Sequence, residues 1–185
     1  MKKKISLLVL LLILSAAFAA FASTAPVQPR FGGILKATIN SNPISFDPML
    51  EGGSNELIPA AHIFETALAT GPGGDIYACV CTYEEKNKGM ILELTLRDGV
   101  KFHDGSVVTI EDVKASTDRW LASVNFSKSH VGSKLESLET AGNKLVFTFK
   151  NPAPLALTAI ATWDQGLYII PKKICEKYPD SKIEN

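Results

Sequence analysis

The sequence predicts a mixed fold, α/β or α+β, and its pattern alone does not choose between the two. Three observations carry this. Residues 91–96 and 145–149 alternate apolar and polar side chains, as strands with one buried and one wet face do. Leu57, Ile58, Ala61, Phe64, Ala67 and Leu68 recur at helical spacing. Thr109 stands three residues before Asp112 at the head of an apolar-spaced run, the pattern of a capping box.

The elements follow in order. Residues 23–31 hold Pro26 and Pro29 and read as a linker. Gly32-Gly33 opens a run, 34–39, that fits a strand. Two prolines, Pro43 and Pro48, make 40–48 a loop, because proline cannot donate to a ladder. Ser54 or Asn55 caps the first helix, and Gly71-Pro72-Gly73-Gly74 ends it by turning the chain. Residues 77–83 fit a short strand, and 91–96 a clear one. Asp98-Gly99 and Asp104-Gly105 are turn dipeptides around the short run 100–102. A helix starts after Thr109, with Asp112 also placed at the positive end of its dipole; Val113, Trp120 and Leu121 lie near one face. Residues 133–138 fit a short helix, Gly142-Asn143 a turn, 145–149 a strand and 152–161 a short apolar helix. Residues 167–170 fit a strand, and Pro171 takes the first position of a last helix. The polar tail from Lys182 to Asn185 brings neither cap nor strand, so more chain is expected after it.

The 185 residues carry 19 basic and 19 acidic groups, with 46% hydrophobic and 21% charged residues. Met1-Lys2-Lys3-Lys4, the apolar stretch 5–14 and the small residues up to Ala22 form the three parts of an export signal; Ala17-Phe18-Ala19 and Ala20-Phe21-Ala22 both fit its cleavage site, the second preferred, with an uncleaved anchor over 5–22 as the alternative. Removing the three lysines of residues 1–22 leaves 16 basic against 19 acidic groups, a net charge of −3. A slightly acidic body gives phosphate no basic patch, so nucleic acid is excluded as a partner. No Cys lies near the cleavage region to carry a lipid. The body is therefore expected in a periplasm, as a monomer. Cys79, Cys81 and Cys175 make an odd count. A bridge between Cys79 and Cys81, two apart on one strand face, would be strained. The three cysteines and His62, His103 and His130 lack the spacing of a zinc site. Buried free thiols are the expectation, with a bridge from Cys175 to one of the other two as the alternative, and with no metal and no cofactor.

Catalytic patterns are missing from the sequence. It has no Gly-x-Ser-x-Gly elbow and no phosphate-cradling glycine loop with lysine. Asp98 and Asp104 precede glycines, so turns explain them. His103 and Asp104 are adjacent in an extended run and point to opposite faces, which leaves them unable to share one proton. His62, midway along the first helix, reads as a surface histidine.

The most informative stretch runs from Leu94 to Lys114. Its motif is Leu96-Arg97-Asp98-Gly99-Val100-Lys101-Phe102-His103-Asp104-Gly105, then four residues, then Glu111-Asp112-Val113. This resembles the signature of the family 5 extracellular solute-binding proteins, the peptide- and nickel-type receptors of bacterial ABC importers. The likeness continues through Gly32-Gly33-Ile34-Leu35, Pro43-Ile44-Ser45-Phe46-Asp47-Pro48, Phe64-Glu65-Thr66-Ala67-Leu68, Arg119 and Ile170-Pro171-Lys172. It departs at 77–83, where the family usually has Pro-x-Leu-Ala-x-Ser-Trp. Family members are also much longer.

The resemblance implies that residues 32–185 form the N-terminal part of a type II periplasmic-binding-protein-like lobe. It implies a substrate-binding component for oligopeptides or related small solutes that works with the membrane permease subunits of an ABC importer. It also implies that Met49, Leu50, Glu51, Gly52 and Gly53, after the Asp-Pro turn, and Trp163, Asp164 and Gln165 approach the ligand. Closure of two lobes over a solute supplies affinity in such receptors, so this portion alone is expected to bind weakly. A truncated paralogue serving as a partner-binding module, and a secreted hydrolase, are the alternatives; the hydrolase would need a nucleophile–base or carboxylate pair that the sequence does not show.

Overall fold

The computed structural model describes residues 29, 31–50 and 53–183. The export signal, Glu51 and Gly52 lie outside the described residues. The chain divides into two compact units, Met1–Thr38 and Ile39–Asn185.

In the first unit, 31–38 have no regular secondary structure and are exposed, Phe31 and Leu35 at 94%. The strand expected at 34–39 is not formed. Its alternation says only which side chains would sort to which face; a strand also needs a hydrogen-bonded neighbour, and no ladder pairs these residues.

The second unit begins with α1 (Ser54–Ala60), whose N-cap is Gly53 rather than Ser54 or Asn55. The Asn55 side chain instead accepts the Asn40 N–H at 3.0 Å and donates to Ser41 Oγ at 2.8 Å, pinning the preceding loop. The helix stops far short of Leu68. Pro59 lies inside it and removes one helical donor. Beyond it the backbone finds sheet-like partners: Thr66 bridges Tyr168, and Ala67 N–H donates to Leu167 C=O at 2.7 Å. Leu68 therefore begins β1 (Leu68–Thr70), which pairs with β2 (Ile76–Ala78) in a small antiparallel sheet.

The strand expected at 77–83 is two strands. At Cys79 and Val80 the chain changes partners, and β3 (Cys81–Lys86) joins β4 (Ile91–Leu96). The main sheet has the order β3-β4-β6-β5, antiparallel throughout, with β5 at Leu135–Ala141 and β6 at Lys144–Phe149. The short helix expected at 133–138 is replaced by one 3-10 turn, Gly132–Lys134, and by β5. Pairing with β6 across the Gly142-Asn143 turn outweighs the local preference.

One sheet face is apolar and buried: Leu92, Leu94, Leu145, Phe147 and Phe149. It is covered by α2 (Ile110–Ser123), which buries Ile110, Val113 and Trp120. The Thr109–Asp112 capping box is present. Asp112 also accepts the Lys172 N–H at 2.7 Å, so it serves a second helix. The chain continues through α3 (Asn125–His130), which the sequence pattern did not announce, α4 (Ala156–Ala161) and α5 (Lys172–Lys177). Pro171 is the N-cap of α5, one position before the one expected. Residues 167–170 are buried but form only the bridge to Thr66. All three cysteines are free, with Cys81 and Cys175 buried and Cys79 half-buried.

Three distant segments meet at one buried ion pair. Asp47 and Arg119 side chains are 0% and 1% exposed, with Nη2 2.6 Å from Oδ2 and Nη1 3.1 Å from Oδ1. The guanidinium also donates to Tyr178 C=O at 2.7 Å and Ser181 C=O at 2.9 Å. Asp47 accepts from Met49 N–H and Ile183 N–H, both at 3.0 Å. Each charge is thereby bonded several times over, which a buried pair needs to offset its desolvation. Asp47→Asn or Arg119→Ala leaves the partner buried without a counter-charge, and should lower unfolding free energy by about 3–5 kcal/mol, read from urea melts. Asp47→Asn with Arg119→Met should recover part of that loss.

On the wet face of the sheet, Glu93 accepts from Lys144 and Lys86, each at 2.7 Å. The Lys144 hydrogen bond, then that of Lys86, holds the Glu93 carboxyl below its ordinary range. Its folded value thus lies below the unfolded one, so the contribution is complete above about pH 4.3 and disappears as pH falls through the folded value. Acidification below about pH 4.3 should lower the urea midpoint, and Glu93→Gln should flatten that part of the profile.

Candidate functional site

Two segments singled out by the sequence, and one cleft that it did not reveal, are candidate places for a ligand.

The first segment follows the Asp-Pro turn. Ser45 Oγ accepts Asp47 N–H at 3.0 Å and donates to Ile183 C=O at 3.2 Å, so the turn is fastened from both sides. Met49 is 6% exposed and its side chain belongs to the hydrophobic core; it supports the loop from below. Leu50 is half-buried and Gly53 exposed. Glu51 and Gly52 lie outside the described residues.

The second segment is the turn after α4. Thr162 Oγ–H donates to Asp164 Oδ1 at 2.6 Å. The Trp120 indole N–H, from the fully buried face of α2, donates to Gln165 C=O at 2.7 Å. The Tyr168 hydroxyl donates to Trp163 C=O. Burial first, and then the charge of Asp164, raise the pKa of that hydroxyl, so it stays a donor at neutral pH. Two buried aromatic side chains therefore fix two carbonyls of one short turn. Trp163 itself is 58% exposed, and Gln165 is exposed as well. Both segments are fastened to α2, the first through Arg119 and the 181–183 tail, the second through Trp120, with Tyr168 beside it.

The cleft, ≈ 590 Å³, lies between the 61–65 turn, the 100–108 hairpin and 169–173. Phe64, Val80, Val108 and Ile169 give it apolar walls, and His62 and His103 stand on its rim. His103 Nε2 lies 2.9 Å from Ile63 C=O, and His62 Nδ1 2.7 Å from Ile58 C=O. A carbonyl only accepts, so these nitrogens carry the protons. Asp104 does not orient His103. Its carboxylate accepts from Ser106 Oγ–H at 2.5 Å and Ser106 N–H at 2.9 Å, and these bonds hold its pKa low. This is the turn that the Asp-Gly dipeptide announced. Sequence reasoning missed the cleft because its walls come from three separate stretches, and no motif joins them.

The three cysteines are not poised as nucleophiles. Burial raises the Cys79 and Cys175 thiols and pushes Cys81 up to about 12, so all three stay protonated and unreactive at neutral pH. Among the described residues, no group of three or more His, Cys, Asp and Glu is placed to hold a metal ion.

Gly166 fixes the shape of the second segment. A Cβ there would lie 2.0 Å from Thr162 C=O oxygen and 2.9 Å from that of Ile160. Both neighbours are backbone and cannot swing aside. Gly166→Ala should cost about 1–3 kcal/mol in a thermal melt and change the near-ultraviolet circular dichroism of the tryptophans.

The model of the bacterial extracellular solute-binding proteins, family 5 middle region, matches residues 64–183. The PBP AgaA of A. tumefaciens R10, solved with agropinic acid, superposes with a TM-score of 0.66 at 24% identity, over 77% of this chain and 29% of its own. An ABC transporter substrate-binding protein of Sinorhizobium meliloti gives 0.54 at 28% identity, over 60% and 23%. The dipeptide binding protein of Pseudoalteromonas sp. SM9913, solved with Met-Leu, gives 0.62 at 16% identity, over 74% and 31%. The chain thus spans less than a third of each of these proteins. The fold is a partial type II periplasmic-binding-protein architecture. With the Asp-Gly hairpin, the capped helix and the family match on the same stretch of chain, the protein belongs to the family 5 bacterial extracellular solute-binding proteins.

Proposed function

We propose that the chain is part of the first lobe of a periplasmic substrate-binding component of an ABC importer, for oligopeptides or related small solutes. The observation that carries this is the family match over 64–183, joined to a fold shared with the receptor solved with Met-Leu. In this reading the exported body hands its solute to membrane permease subunits. Leu50 and Gly53, which follow the turn supported by Met49, and Trp163, Asp164 and Gln165 face the solute; the family resemblance adds Glu51 and Gly52. The chemistry is capture and release: the described thiols are protonated, and Asp104 is engaged in its turn.

Residues 23–185 supply one side of a two-sided clamp, so this stretch by itself should bind weakly. Millimolar di- to pentapeptides should raise the melting temperature of residues 23–185 by about one or two degrees, following the mass-action dependence on free ligand. Mass spectrometry should recover every peptide intact. Peptide cleavage would overturn the reading in favour of a hydrolase, and the absence of any stabilisation by peptides or amino acids would overturn it in favour of a partner-binding module.

A further inference from the structure

We infer that the cleft between the 61–65 turn, the 100–108 hairpin and 169–173 is a binding site for an amphipathic carboxylate, whose apolar body lies on the cleft floor while its anionic head meets the lysines of the rim. This goes beyond the solute-binding reading and does not rest on it: the cleft lining shares no residue with 49–53 or 162–166.

The floor suits an apolar body. Val80, Val108 and Ile169 belong to the buried core and also border the cleft. Phe64, Val100 and Phe102 pack against the same core and give it walls. At ≈ 590 Å³ the space falls within the roughly 300–1,000 Å³ of small-molecule sites. An apolar group that displaces water from such walls gains the hydrophobic free energy of both surfaces.

The three walls are bonded to one another. His103 Nε2–H donates to Ile63 C=O at 2.9 Å, which ties the hairpin to the turn. Ile169 N–H donates to Glu65 C=O at 2.9 Å, which ties the third wall to the same turn. Val108 N–H to Val100 C=O at 3.0 Å, and Phe102 N–H to Ser106 C=O at 2.9 Å, close the hairpin itself. A cleft held in this way stands open before any ligand arrives and loses little entropy on binding.

Electrostatics choose the sign of the head group. His62, Lys101, His103 and Lys173 line the cleft against two acids, Glu65 and Asp104, and all six are exposed. Both acids have company already. Asp104 accepts twice from Ser106, and the charge of Lys173 adds to the bonds that hold its carboxyl low. The charges of Glu65 and Arg97 both act on Cys79, so Glu65 has a counter-charge beyond the cleft lining. Among the described residues neither Lys101 nor Lys173 forms an ion pair. A carboxylate head satisfies these two ammonium groups, and an ammonium head is repelled by them.

The test is a titration of residues 23–185, at constant ionic strength, with phenylbutyrate, its neutral amide and phenylbutylamine, followed by methyl NMR. Phenylbutyrate should saturate and shift the methyl signals of Val80, Val108 and Ile169. The amide should bind more weakly, and the amine more weakly still. Lys101→Gln and Lys173→Gln should each weaken phenylbutyrate about two- to fivefold, as exposed charge pairs allow, and the double variant should bind acid and amide alike. Both lysines are exposed, so these variants should retain the wild-type melt. Equal affinity of acid and amide for the wild type, unchanged affinity in the double variant, or a saturating response that spares those three methyl groups would overturn the site. Stabilisation by peptides is a separate readout, and solute binding stands or falls on it alone.

Discussion

The architecture depends on a charge pair that no water reaches. Asp47 precedes the first helix, Arg119 sits within the long helix, and the carbonyls of Tyr178 and Ser181 come from the far end of the described chain. An isolated guanidinium would not remain in such a place, because its desolvation exceeds what one contact returns. The structure offers it four contacts from two directions. Hydrophobic burial can bring segments together in many registers, whereas five donors in a planar fork admit very few. The pair therefore specifies geometry as well as holding it.

From this knot outward, the candidate site is a matter of what each loop is tied to. The turn after Asp47 is fastened to the knot itself. The turn at Trp163 is fastened to Trp120, one residue beyond Arg119 on the same helix. A single fourteen-residue helix thus positions both, and the sheet beneath it supplies the rigid floor.

Some of this was legible in the residues. Alternation at 91–96, the Thr109–Asp112 box and the two Asp-Gly turns are local signals, and each reappears as the element it announced. Where the reading failed, a distant partner had decided. Phe64 to Leu68 has helical spacing, yet Ala67 bonds to Leu167, a hundred residues away in sequence. The 34–39 run has strand spacing and no neighbour. Residues 133–138 have no strand pattern of their own and take one from β6. The same limit applies to the site: Trp163 could be picked out as a residue, but its anchors Trp120 and Tyr168 are known only once the chain has folded. The cleft between His62 and His103 was invisible for the same reason.

Asp112 shows how closely the local and the distant are bound together. One oxygen completes the start of its own helix through Thr109, and the other receives the first amide of a helix sixty positions later. A single carboxylate thereby aligns the openings of two helices. An insertion between Thr109 and Asp112 would both fray the first helix and set the second adrift, so the length of that short interval is locked by a neighbour it never meets along the chain.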